Sequence, residues 1–144
     1  MMSFNILSPA DNLGIVEKEL LTNYVYKKCI LPSKPDKQKV SWSVDHATSI
    51  FPHQGGCIIK LMDDGQMVGV GIVNKTGMEN QISGNLLSHV ALEHDNDHAL
   101  KMIIDKAKNI TNNDIQSVFD TDKLSDRVKE IYNETPKKVQ LMAI

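Results

Sequence analysis

Residues 85–110 read NLLSHVALEHDNDHALKMIIDKAKNI, and their two halves obey different periods. Residues 86–92 form a short apolar run with a β-branched member, which predicts a strand. Leu100, Ile103, Ile104, Ala107 and Ile110 then recur at offsets of three and four, which predicts an amphipathic helix. The joint between them is Glu93-His94-Asp95-Asn96-Asp97. A strand running directly into a helix leaves the first backbone N–H groups of the helix pointing outward, a geometry that suits anions. Here the joint carries three carboxylates and no glycine. Asp95, Asn96 or Asp97 can cap the helix, and carboxylates suit its positive end.

Working outward, residues 57–62 and 66–73 are two apolar runs around Asp63-Asp64-Gly65, a strong hairpin signal. Gly69 and Gly71 inside the second run predict close backbone approach or a bulge. Upstream, residues 4–7 suggest a first strand. Ser8, Pro9 and Asp11 then mark a helix start. Leu13, Val16, Leu20 and Tyr24 extend the helical spacing, predicting a helix over residues 9–28. Residues 31–40, with two prolines and several lysines, read as a solvated loop, and 43–51 as a short second helix. Downstream, Asn112-Asn113-Asp114 turns into a strand over 115–119. Asp122 begins a last helix holding Leu124, Val128, Ile131 and Tyr132, and residues 139–144 form a closing strand.

The 144 residues, 41% hydrophobic and 24% charged, suffice for one packed domain spanning 1–144. A net charge of −2 offers no basic field for nucleic acid. No apolar run approaches the roughly 20 residues of a membrane helix, and the first residues carry no signal-peptide pattern. The expected location is cytoplasmic, with Cys29 and Cys57 as reduced thiols. The element order β-α-α-β-β-β-α-β-α-β predicts an α/β (α+β) domain: a mixed, twisted sheet of about six strands with helices on both faces and one right-handed parallel crossover.

That order, with the hairpin DDGQMVGVGIV and the strand–helix–strand pattern of DIQSVFDTDKLSDRVKEIYNETPKKVQLMAI, resembles the GNAT acetyltransferase superfamily. The resemblance implies a cleft where strands 86–92 and 115–119 splay apart. The pantetheine arm of acetyl-CoA would pair there with the backbone of Ser88, Val90, Ala91 and Leu92. Its pyrophosphate would rest on the helix start at Asp97, His98, Ala99 and Leu100. His89 or Glu93 would act as general base toward an amine-bearing small molecule or protein. Trp42, His46, Phe51 and His53 would lie by the acceptor pocket, with plain packing as the alternative. Pairing of two chains through residues 139–144 follows by the same analogy.

The joint nevertheless departs from the family's glycine-rich pattern. Each carboxylate within 4–6 Å of a pyrophosphate would cost roughly 3–4 kcal/mol at an effective dielectric of 20. Lys129 stands where the family's acidic Tyr is expected, and Asn133-Glu134 replace its Gly-Phe. The expectation is therefore acetyl transfer weakened or lost. The alternative is a non-catalytic module that binds a protein through the cleft or an edge strand. No metal site is expected: His94 and His98 share a spacing, but the local pattern supplies no third ligand.

Overall fold

The computed structural model describes residues 1–77, 83–117 and 130–131. Among the described residues, six strands and three α-helices follow in the order β1 (Met2–Leu7), α1 (Ile15–Lys28), β2 (Cys29–Leu31), α2 (Lys37–Ala47), β3 (Gly56–Asp63), β4 (Gln66–Lys75), β5 (Asn85–Leu92), α3 (Asp97–Ile110) and β6 (Gln116–Ser117). One sheet runs in the order β1-β3-β4-β5-β2, with β6 also paired to β5. Every pairing is antiparallel except β5–β6. The fold is thus α+β with a mixed sheet, as the element order predicts.

The hairpin forms as its sequence dictates. Asp64 and Gly65 occupy the two turn positions with φ of 49° and 85°, the positive values a tight two-residue turn demands. Gly56, at φ 130°, lies so close to the Val73 carbonyl that any Cβ would collide with it. On one sheet face, Leu21 and Val25 of α1 and Val40, Val44 and Ala47 of α2 pack on Ile58, Val70, Ile72 and Ala91. On the other, α3 sets Leu100, Ile103, Ile104 and Ala107 against Ile59, Leu61, Val73, Leu87 and Val90. Gly69 and Gly71 exist for this second contact. A Cβ on Gly71 would lie 2.6 Å from Ile103 Cγ2, and one on Gly69 would lie 2.9 Å from Ile103 Cδ1.

Two helices differ from expectation. The segment 9–28 is a single turn of 3-10 helix (Pro9–Asp11) and then α1, separated by Asn12 in the left-handed region with φ 52°. Asp11 does reach back to Ser8, its carboxylate accepting from the Ser8 backbone N–H at 2.7 Å and from the Ser8 hydroxyl at 3.3 Å. The interruption resets the helical phase. Leu21, Thr22 and Val25 therefore turn inward, while Val16 and Leu20 are 70% and 65% exposed. The second helix begins six residues earlier than expected, because Asp36 caps it by accepting from the backbone of Gln38 (2.9 Å) and Lys39 (3.3 Å). The presumed loop 31–40 thus supplies Val40 to the core. The expected strand 115–119 is described only to Ser117; the last helix is described only at Glu130 and Ile131, and the closing strand lies outside the described residues.

Two irregularities in β5 and its neighbours shape the rest. In β5, Ile72 pairs with His89 but Val73 pairs with Leu87, so Ser88 is an extra, bulged residue. The far edge of β5 is shared. β6 pairs with Leu86 and Leu87, whereas β2 pairs with Val90 and Ala91.

Candidate functional site

Alternation along a strand sends neighbouring side chains to opposite faces. The bulge at Ser88 breaks that rule, so Leu86, Ser88 and His89 all line one cavity on the α2 side of the sheet. Its volume is about 660 Å³, within the range of small-molecule sites. Trp42, Ser43 and His46 of α2 form one wall, and Asn74, Lys75 and Thr76 from the end of β4 form another. Pro32, Lys34, Asp36 and Lys39 close it from the β2–α2 connection and the start of α2.

Most polar groups here have identifiable partners, but Asn74 Oδ1 and His46 Nδ1 are buried without one among the described residues. His89 is only 6% exposed, and burial pulls its imidazole down to about 4, so it is neutral at pH 7. Its Nδ1 lies 3.1 Å from Ser88 Oγ, and Ser88 donates onward to the Ile72 carbonyl at 3.4 Å. With the serine proton used there, Nδ1 carries the ring hydrogen and Nε2 keeps its lone pair. Asn74 Nδ2 donates to the Ser43 carbonyl at 2.9 Å, tying β4 to α2. His46 Nε2 lies 2.7 Å from the Lys75 carbonyl, an acceptor, and therefore donates to it. Trp42 stands over His46 with ring centroids 4.8 Å apart. Among the described residues, Asp36 is the one carboxylate on the cavity wall, and its oxygen is engaged in capping α2.

The residues singled out from sequence fall into separate places. Ser88 and His89 reach the cavity together with Trp42 and His46. His53 does not: it packs beside Gly77, and Phe51 is 69% exposed. Glu93 sits at the opposite end of β5 from the cavity, in an ion pair with Lys28 at 3.1 Å. The Lys28 ammonium holds its carboxyl below the usual range, and burial beside Glu93 pushes the Tyr24 hydroxyl upward. His89 and Glu93 therefore do not converge on one point.

The residues that the GNAT resemblance would assign to a coenzyme are engaged within the protein. Leu31 pairs with Val90, and Cys29 pairs with Ala91, on the edge that the resemblance assigns to pantetheine. Leu92 is buried in the α3-side core. At the helix start, Asn96 is the cap, its Oδ1 accepting from Ala99 at 2.8 Å and its carbonyl accepting from Leu100 at 3.2 Å. One of the four N-terminal amides that lack a helical partner, that of Ala99, is thereby taken, and Leu100 is fully buried. Asp97 and His98 remain on the outer side of the first turn.

Sequence reasoning passed over Asn74 and Lys75, and read Lys34 and Lys39 as part of a solvated basic loop rather than a cavity wall. Asn74 had a readable signal: a polar amide closing the apolar run GVGIV, on the same alternating face as Val70 and Ile72. Among the described residues no group of three His, Cys, Asp or Glu is placed to hold a metal ion. Cys29 and Cys57 are both thiols, and burial pushes Cys57 up to about 11. No described helix is long and apolar enough to cross a membrane. No family model matches this chain, nor does any curated protein or solved structure.

Proposed function

We propose that this chain is a GNAT-like domain in which acetyl transfer has given way to binding of a small organic molecule in the α2 cavity. The observation that carries the reading is β2. Its residues Ile30 and Leu31 are 7% and 0% exposed, and Leu31 pairs with the edge of β5 where pantetheine would lie. Burying such a side chain is worth about 1.5–3 kcal/mol, so freeing that edge costs on the order of 3–6 kcal/mol. This is a factor of roughly 10² to 10⁴ in coenzyme affinity. The acidic joint adds its repulsion to that cost. The cavity, by contrast, is open without any rearrangement.

The rival reading is an acetyltransferase using His89 as base, and it draws on one observation: a neutral imidazole with a bare nitrogen in a cavity. Calorimetric titration with acetyl-CoA and CoA separates the two. The binding reading expects no heat and no thermal shift at millimolar coenzyme. Micromolar binding with faster thiol labelling at Cys29, as β2 lifts away, would establish the rival.

A further inference from the structure

The charge and hydrogen-bonding groups around the cavity define the chemistry of its occupant. Lys34, Lys39 and Lys75 line it, and none of their ammonium groups has a partner among the described residues. Asp36, the one carboxylate on the described wall, is spent on the helix cap. The body of the cavity is apolar, formed by Trp42, Leu86 and Pro32. His89 is more than nine-tenths buried, yet its Nε2 has no partner among the described residues and is not sealed off from the cavity. It is an acceptor open to an occupant, whereas His46 Nδ1 and Asn74 Oδ1 on the same wall are buried and unpaired among the described residues, a costly state for polar atoms.

We propose that the cavity binds a small organic anion: an apolar, aromatic-sized body with a carboxylate at one end and a hydroxyl or N–H donor at the other. The carboxylate lies among Lys34, Lys39 and Lys75, the body lies along Trp42, and the donor bonds to His89 Nε2. The same three ammonium groups repel a cationic amine, the acceptor class that the GNAT resemblance would bring. This inference rests on the reading of the cavity as a ligand site, and it fails separately from it. Acetyl-CoA seated on β5 would overturn that reading, whereas a wrong charge preference in the cavity overturns only this one.

Trp42 is the single tryptophan in the chain, so its fluorescence reports on the cavity wall directly. The full chain is titrated with 4-(4-hydroxyphenyl)butyrate, the matching primary amide, the matching amine, and 4-phenylbutyrate. The hydroxylated carboxylate is expected to bind most tightly, with the amide about fivefold weaker and the amine weaker still. Loss of the hydroxyl is expected to weaken binding by about three- to tenfold. Lys39→Gln and Lys75→Gln, both at polar positions where folding is not at risk, should each narrow the gap between carboxylate and amide by about two- to fivefold. Equal or tighter binding of the amine, or no saturable change with any probe at 10 mM, a working ceiling of about 3 kcal/mol in affinity, would overturn the proposal. Indifference to the hydroxyl would remove His89 from it.

Discussion

Leu31 of β2 lies in register with Val90 of β5, and this pairing covers the C-terminal part of the β5 edge whose start is paired with β6. β5 is thus held on both ends of one edge, by the chain's own β2 near its C-terminal end and by β6 near its start. The bulge at Ser88 falls between these two supports. It turns Ser88 and His89 together toward α2, where both line the cavity.

If shape rather than charge excludes the coenzyme, then replacing Asp95 and Asp97 with Gly leaves acetyl-CoA affinity unchanged. Calorimetry on the double variant checks this. A rise to micromolar affinity would show that the carboxylates, not β2, are the obstacle. Asn96→Ala, tested beside it, should cost about 1 kcal/mol of stability through loss of the cap on Ala99.

His89 gives the fold a defined acid sensitivity. Its folded value of about 4 lies below the ordinary 6.5, so the unfolded chain binds more protons between these limits. The native state consequently loses stability as pH falls from about 6.5 toward 4, by about 3 kcal/mol in total. Denaturant midpoints measured across this window should show the slope, and His89→Gln should flatten it. A wild-type midpoint that stays level from pH 7 to about 4 would contradict the buried, neutral imidazole.

The two glycines of β4 should respond differently to repair. Gly69→Ala and Gly71→Ala should each destabilise by about 1–3 kcal/mol, by forcing Ile103 away from the sheet. Ile103→Val removes Cδ1 but keeps Cγ2. It should relieve the Gly69 variant in part and do little for the Gly71 variant. Equal rescue of both, seen in thermal unfolding, would mean that the close approach is not what these glycines serve.

Thiol chemistry separates the two cysteines. Cys57 is 6% exposed with its thiol raised to about 11, whereas Cys29 is half-buried at the start of β2. Labelling of the native protein by a disulfide reagent at neutral pH should show one faster site, Cys29, and one that reacts only on unfolding. Two equally fast thiols would contradict the packing of β3.

What the sequence disclosed, and what it hid, follows from the range of the interactions involved. The hairpin, the strand over 86–92 and the helix after it rest on local turn chemistry and strong periodicity, and all were legible. The inward face of α1 was not, because a single left-handed residue, Asn12, resets the phase of everything after it. The start of α2 was hidden behind Pro32 and Pro35, which read as loop residues, although Asp36 is a favourable cap. Ser88 and His89 could be suspected from their polarity within an apolar strand. Their joint orientation depends on a bulge, and the cationic wall depends on α2 folding over β4. Both are tertiary facts. β2 is three residues long, too short for any periodic signal, yet it covers part of the β5 edge.

The most direct test of that role is the cross-strand nuclear Overhauser contact between the backbone protons of Leu31 and Val90, recorded in solution with and without millimolar acetyl-CoA. The account predicts that the contact is present and persists unchanged, with no shift of the β5 resonances. Its disappearance on adding acetyl-CoA, with β5 shifting in step, would show that β2 yields its place and that the coenzyme site is intact.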